Sequence, residues 1–290
     1  MTPYPNPNAD RLRALLSRGE FILMPCCFDA LSARMVAQSG FELTFLSGFS
    51  ASVSRIGAPD VGLMSYGEVL DQARNAMEAI DIPMMVDGDT GYGNPMNVER
   101  TVQGFARAGC AGVMIEDQVA PKRCGHTKGK AVVDREEAYD RIRAAVQARE
   151  RTDILIKART DARRDHGIGE AIERAQMFVE LGADLIFVEE PMSKEEMRLI
   201  CKEVQAPQVA NMLEGGQTPI LPPAELADLG FTIAAYPLTC LSAAMKAMLS
   251  ALEKLKNQQD PTPDLLPFSE LKTRVGFDDY YAAETRYSKD

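Results

Sequence analysis

Short apolar runs and amphipathic stretches alternate along most of the chain. The apolar runs, at 21–26, 43–46, 82–86, 112–115, 154–158, 185–188, 208–210 and 232–235, lack strict apolar–polar alternation. That pattern predicts strands buried on both faces. The segments between them carry helical signatures. Ser65 with Glu68, Asp134 with Glu137, and Ser193 with Glu196 each read as an N-cap followed by an N3 glutamate. Gly40, Gly109 and Gly182 read as left-handed helix ends. Eight strand-then-helix units predict an α/β fold, a parallel (β/α)8 TIM-type barrel, with its last helix running from Leu238 to about Lys256. The polar, proline-bearing stretch 257–263 then separates a barrel domain, 1–256, from a C-terminal helical extension, 257–290. Short helices over 268–274 and 277–287 are expected there, packed on a neighbour.

The strand map orders the polar residues. Ser47 follows the second run, Asp87 and Asp89 the third, Glu116 and Asp117 the fourth. Arg159 and Asp161 follow the fifth, Glu189 and Glu190 the sixth, and Asn211 closes the seventh. In such a barrel the active site lies at the carboxyl ends of the strands, so these side chains are expected to converge on one mouth. Asp87 and Asp89, two residues apart at a strand end, can share a divalent cation, one directly and one through water. The glycines of 88–93 let backbone amides approach an anion, and a phosphate-cradling loop is the competing reading. Arg159 offers a rigid fork for a carboxylate; its alternative is a structural ion pair at the mouth.

A second constellation is Pro121-Lys122-Arg123-Cys124-Gly125-His126, which reads as a mobile loop. It sets a thiol among cations, where a thiolate would be stabilised. A solvated charge run is the plainer alternative. His166 reads as an exposed loop residue.

Composition narrows the partners. The formal net charge of -10 argues against nucleic acid or an anionic membrane. No apolar run approaches the ~18 residues of a membrane span. The first residues lack the blocks of a signal peptide, and a cytoplasmic protein is expected. With six cysteines in no Cys-x-x-Cys pattern and two histidines, a zinc site is disfavoured. Cys26, Cys27, Cys110, Cys201 and Cys240 are expected to be reduced and mostly buried. Any metal is expected on carboxylates, as magnesium or manganese. No Gly-x-Ser-x-Gly nucleophile elbow occurs, so a serine hydrolase fits poorly.

Taken together, Leu46-Ser47-Gly48, Pro59-Asp60, Val86 through Gly93, Ile115 through Gln118, Lys122 through His126, Ala158 through Ala162 and Asn211 through Gly216 resemble the isocitrate lyase and phosphoenolpyruvate mutase superfamily. The Lys-Arg-Cys-Gly-His block is similar to the lyase branch, which the mutase branch lacks. Ser47 through Ser50, Gly129 through Val133 and Asn211 through Pro219 resemble the dimethylmalate and alkylmalate lyases, the branch of the petal death protein. Methylisocitrate lyases are similar too. They carry an arginine near the position of Ser242 and a tyrosine at the position of Phe45. The first difference favours a dicarboxylate over a tricarboxylate, and the second removes a phenolate base.

The resemblance implies a magnesium-dependent carbon–carbon lyase acting on a 2-hydroxy dicarboxylate of the 2-alkylmalate or 2,3-dimethylmalate type. Asp87, Asp89, Asp60 and Glu116 are the implied metal residues, directly or through water. Ser47, Gly48, Phe49, Arg123, Gly125, Arg159, Glu189 and Asn211 are the implied substrate residues. Cys124 is the implied proton donor to the carbanion, with His126 and Glu116 beside it. A homotetramer that exchanges C-terminal helices is also implied. The alternatives are a 2-methylisocitrate lyase, an oxaloacetate hydrolase, a carboxyphosphonoenolpyruvate mutase, and a barrel that only binds dicarboxylates.

Overall fold

The computed structural model describes residues 5–123 and 131–287. Eight strands form at the apolar runs: β1 (Ile22–Cys27), β2 (Thr44–Leu46), β3 (Met84–Asp87), β4 (Gly112–Glu116), β5 (Leu155–Thr160), β6 (Leu185–Val188), β7 (Val209–Asn211) and β8 (Ile233–Tyr236). Neighbours pair in parallel in the order β6-β5-β4-β3-β2-β1-β8-β7. A parallel bridge between Ile186 and Gln208, with the Ile186 N–H donating to the Pro207 carbonyl at 3.0 Å, nearly closes the ring. The (β/α)8 barrel is therefore present.

Several strands run past the apolar run that marks them. β3 ends on Asp87, β4 on Glu116 and β5 beyond Arg159, because their backbones continue the ladder, as in the Asp87–Met114 and Glu116–Arg159 pairings. Functional side chains thereby sit on strand backbone, which holds them more rigidly than a loop would.

The core has two shells. Met24, Phe45, Met85, Met114, Leu155, Phe187, Val209 and Ile233 fill the inside of the barrel. Val86, Val113, Ile115 and Ile156, on the other face of their strands, pack outward against helix residues such as Phe105 and Phe178. Each such burial contributes roughly 1.5–3 kcal/mol.

Helix starts follow the expected chemistry. The Ser65 hydroxyl accepts from the Glu68 N–H at 3.4 Å, and the Glu68 carboxylate accepts from the Ser65 N–H at 2.8 Å. Asp134 and Ser193 cap through the N–H groups of Glu137 and Glu196. The glutamates themselves turn away, to Arg141 and Arg163. Gly40, Gly109 and Gly182 take φ of 84°, 88° and 100°, where a side chain would be strained.

The chain divides into two compact units, 1–240 and 241–290. The helix Thr239–Lys256 begins at the end of the first and continues in the second. The second unit also holds the helices Phe268–Arg274 and Phe277–Glu284. Among the described residues no helix is long and apolar enough to cross a membrane.

Candidate active site

The strand ends converge on one cavity, lined by Ser47, Phe49, Asp60, Asp87, Lys122, Arg123, Lys157, Arg159, Glu189 and Asn211. Gly48, Asp60, Asp87 and Asp89 bound a smaller recess. Glu116 is buried beside Arg159 and lines neither.

Ser47 is fixed by the helix it starts: its hydroxyl accepts from the Ser50 N–H at 3.3 Å, capping Gly48–Ile56. The next residue has to be small. A Cβ on Gly48 would lie 2.5 Å from Asp87 Oδ2 and 3.4 Å from Lys122 Nζ, so the missing side chain is what lets the Asp87 carboxylate approach this turn. Asp87 in turn accepts from the Asp89 N–H at 3.1 Å, and Asp89 adopts φ of 48°.

Lys122 changes the sequence picture. It belongs to no solvated charge run: its side chain is 5% exposed, and its Nζ lies 2.8 Å from Asp60 and 2.7 Å from Asp89. The carboxylates hold its proton tightly against the cost of burial. Burial pushes the Asp89 carboxyl up to about 6; Lys122 opposes this, and the charges of Asp87 and Asp60 add to it. One ammonium thus serves more carboxylates than it neutralises.

Arg159 stands across the mouth among three carboxylates. Its fork pairs with Asp161 at 2.7 and 2.9 Å, with Glu116 at 3.3 Å and Glu189 at 3.2 Å. Glu189 also accepts from the Asn211 amide at 3.1 Å. Burial pushes the Glu116 carboxyl well above its usual range, against the pull of Arg159. Its Oε1 is buried and makes no hydrogen bond among the described residues.

No three carboxylate, cysteine or histidine side chains among the described residues are drawn together as a metal cluster. The expected set of Asp60, Asp87, Asp89 and Glu116 is a neighbourhood, with Lys122 bridging two of its members. Its chemistry still fits a hard divalent ion: every donor is oxygen, the acids outnumber the nearby cation, and one Glu116 oxygen has no hydrogen-bond partner among the described residues.

Besides Glu116, three polar residues expected at the mouth do not line it. Asp117 is buried in a support network, accepting from Thr160 Oγ1 at 2.7 Å, the Asp161 N–H at 2.9 Å and Arg174 at 3.1 Å. Asp161 orients Arg159, and Glu190 faces Arg164. An acidic pair at a strand end splits because successive strand side chains point to opposite faces. His166 is exposed as expected, on the first turn of helix Arg163–Glu180.

Cys124, Gly125 and His126 lie outside the described residues. The segments on either side are described, and they are paired. The Val119 N–H donates to the Ala131 carbonyl at 2.8 Å and the Val133 N–H to Asp117 at 2.9 Å, around an antiparallel Gln118–Val132 bridge. The Gln118 amide clasps the Arg123 backbone twice, both at 2.9 Å. The other five cysteines are unpaired; Cys26, Cys27 and Cys110 are buried, Cys201 and Cys240 partly so.

Sequence reasoning missed Lys122 and Lys157. A lysine inside the apolar run 154–158 was the visible signal for the second. For Lys122, nothing in the sequence separated it from the cations that follow.

The phosphoenolpyruvate phosphomutase family model matches residues 12–256. The chain is 40% identical over 283 residues to 2,3-dimethylmalate lyase of Eubacterium barkeri, covering 97% of this chain and 98% of that one. It is 39% identical over 284 residues to 2-methylisocitrate lyase of Halalkalibacterium halodurans, covering 97% and 94%. Among solved structures, oxaloacetate acetylhydrolase with 3,3-difluorooxalacetate superposes with a TM-score of 0.94 at 34% identity, covering 99% of each chain. Phosphonopyruvate hydrolase with oxalate and Mg2+ superposes with a TM-score of 0.87 at 28% identity, covering 97% of this chain and 99% of that one.

Proposed function

This chain belongs to the phosphoenolpyruvate phosphomutase family, within the isocitrate lyase superfamily of carbon–carbon lyases and mutases, and on that premise we propose that it cleaves 2-alkylmalates with a divalent metal, magnesium or manganese. The observation that carries the proposal is the cavity itself. It gathers the carboxylates of Asp60 and Asp87 with Arg159 and Asn211 on one lining. The likeness to a 2,3-dimethylmalate lyase over nearly the whole of both chains supports the substrate class.

Asp60, Asp87, Asp89 and Glu116 would hold the metal, directly or through water. When bound, a divalent cation polarises the 2-hydroxyl and its neighbouring carboxylate, lowering the hydroxyl pKa. Arg159, kept in place by Asp161, and Asn211, kept by Glu189, orient carboxylate oxygens. Ser47, Gly48 and Phe49 frame the 2-keto acid half. Arg123, Gly125 and His126 bind from the loop, where Cys124 protonates the carbanion left when the carbon–carbon bond breaks.

A cytoplasmic setting is supported by the five unpaired cysteines. A homotetramer exchanging C-terminal helices is supported by exposed Leu249, Leu252, Phe268 and Tyr281 in the second unit, an apolar surface that suits a second copy.

The test is a panel of malate derivatives, methylisocitrate and oxaloacetate with Mg2+, reading 2-keto acid with a coupled dehydrogenase. An alkylmalate is expected to release keto acid most efficiently. No keto acid from any alkylmalate refutes the assignment, and acetate plus oxalate from oxaloacetate alone reassigns the enzyme as a hydrolase. Cys124→Ala is expected to abolish turnover while sparing ligand binding. Near-normal turnover would remove Cys124 from the proton-donor role.

A further inference from the structure

β5 sends Leu155, Lys157 and Arg159 to the same face, toward the barrel interior. Leu155 joins the inner core and Arg159 reaches the mouth, so Lys157 forms the floor between them. It is 2% exposed and lines the same cavity as Ser47, Asp87 and Asn211. Its Nζ lies 3.8 Å from the ring centre of Phe45 and 5.5 Å from that of Phe187. Among the described residues its Nζ makes no hydrogen bond and no ion pair. The charged and titratable groups around it are Cys26 on β1, Asp87 on β3, Arg159 on its own strand and Glu189 after β6.

A buried ammonium with no anionic partner is costly, so the site favours the neutral amine. Burial lowers the Lys157 pKa to about 8, with Cys26, Asp87 and Glu189 acting in the other direction. Apart from Asp60 and Asp87, which the lyase reading gives to the metal, the other polar groups on the cavity are poor proton acceptors. Arg159 does not deprotonate. Lys122 is gripped by Asp60 and Asp89. Glu189 is engaged by Arg159 and Asn211. Phe45 has no hydroxyl, and burial keeps Cys26 a thiol.

We propose that the Lys157 amine is the base of the cleavage reaction, accepting the proton of the substrate's 2-hydroxyl from the cavity floor. This rests on the lyase reading above. The O–H bond breaks as an N–H bond forms. The oxygen electron pair becomes the C=O bond of the keto acid, and the carbon–carbon bond electrons leave in the enediolate. Lys157 finishes as an ammonium against the Phe45 ring, whose negative face, with Asp87 and Glu189, stabilises the charge as it appears. The proton leaves to solvent before the next turnover.

The test compares Lys157→Met and Lys157→Arg with the wild type on the best alkylmalate with Mg2+. Both variants are expected to lose roughly 10²–10⁴-fold in kcat, the usual worth of a positioned base, while KM changes only a few-fold. Wild-type kcat/KM should rise with pH to an inflection near 8 that both variants lack, and ethylamine should restore part of the turnover of a truncated variant, Lys157→Ala. Turnover within tenfold of wild type in either variant overturns the assignment; in Lys157→Arg alone it would mean that only the charge matters. Nitrogen-15 NMR of labelled lysine in the wild type provides a readout independent of variant folding: an Nζ titrating near 8 supports the base, one titrating above 10 overturns it. A wild type that cleaves no alkylmalate refutes the lyase reading and this assignment together, whereas cleavage that survives Lys157→Met refutes the assignment alone.

Discussion

Replacing Lys157 by methionine should stabilise the protein at neutral pH and cease to do so in alkali. The perturbation removes an amine and leaves a side chain of similar length between Phe45 and Phe187. In the unfolded chain the amine keeps its ordinary 10.5, whereas burial in the folded chain lowers it to about 8. That gap corresponds to ~3 kcal/mol, at about 1.4 kcal/mol for each tenfold change in proton affinity. Below about pH 8 both states are protonated and folding bears the whole cost. Between about 8 and 10.5 the unfolded state binds more protons, so wild-type stability rises with pH relative to the variant. Methionine also forfeits the cation–π contacts, worth roughly 1–2 kcal/mol. The net gain at pH 7 is then ~1–2 kcal/mol, falling to nothing or reversing at pH 10.5. Urea unfolding of both full-length proteins at the two pH values measures it, because titrations common to both cancel in the difference. A stability difference that is the same at pH 7 and 10.5 would refute the reasoning.

Lys122→Met should leave Asp60 and Asp89 without their ammonium and cost roughly 3–5 kcal/mol, as when one partner of a buried pair is removed. That is a fall in Tm of about 6–10 °C for a domain of this size, much of it recovered by millimolar Mg2+; a melt insensitive to Mg2+ would count against these acids as its site. Gly48→Ala should displace the Asp87 carboxylate and cost roughly 1–3 kcal/mol of overpacking. Calorimetric Mg2+ titration should show weaker binding, and unchanged affinity would mean Asp87 has room to move. Arg174→Met should strand the Asp117 carboxylate and cost roughly 3–5 kcal/mol in thermal unfolding. Substrate KM measured well below the melt should be unchanged, because neither residue lines the cavity; a raised KM would return Asp117 to the site.

The barrel was legible because its signals are local. Continuous apolar runs mark strands covered on both faces, and Ser65, Asp134 and Ser193 announce helix starts through one side chain. Asp87, Arg159, Glu189 and Asn211 could be placed at the mouth from strand order alone. Illegible were the matters that depend on which way a side chain turns. Asp117 stands next to Glu116, yet it serves Arg174 and Thr160 behind the site. Lys122 sits in a run of basic residues, yet it turns inward to acids more than thirty positions away in the chain. The ends of the strands were also drawn short, because a hydrophobic criterion stops at the first charge while backbone pairing continues through it.

The paired segments 117–119 and 131–133, with the Gln118 clasp on the Arg123 backbone, make the sequence from 124 to 130 a detachable cassette. The two ends are fastened to each other by main-chain bonds that do not depend on which residues the cassette carries. Lengthening a closed loop is inexpensive, about 0.6 kcal/mol for each doubling. With Lys122 left in place, a different thiol-bearing segment, or one without a thiol, can therefore be exchanged without re-engineering the barrel. In this architecture new chemistry is within reach of a short insertion, while the acids and the floor stay where the strands put them.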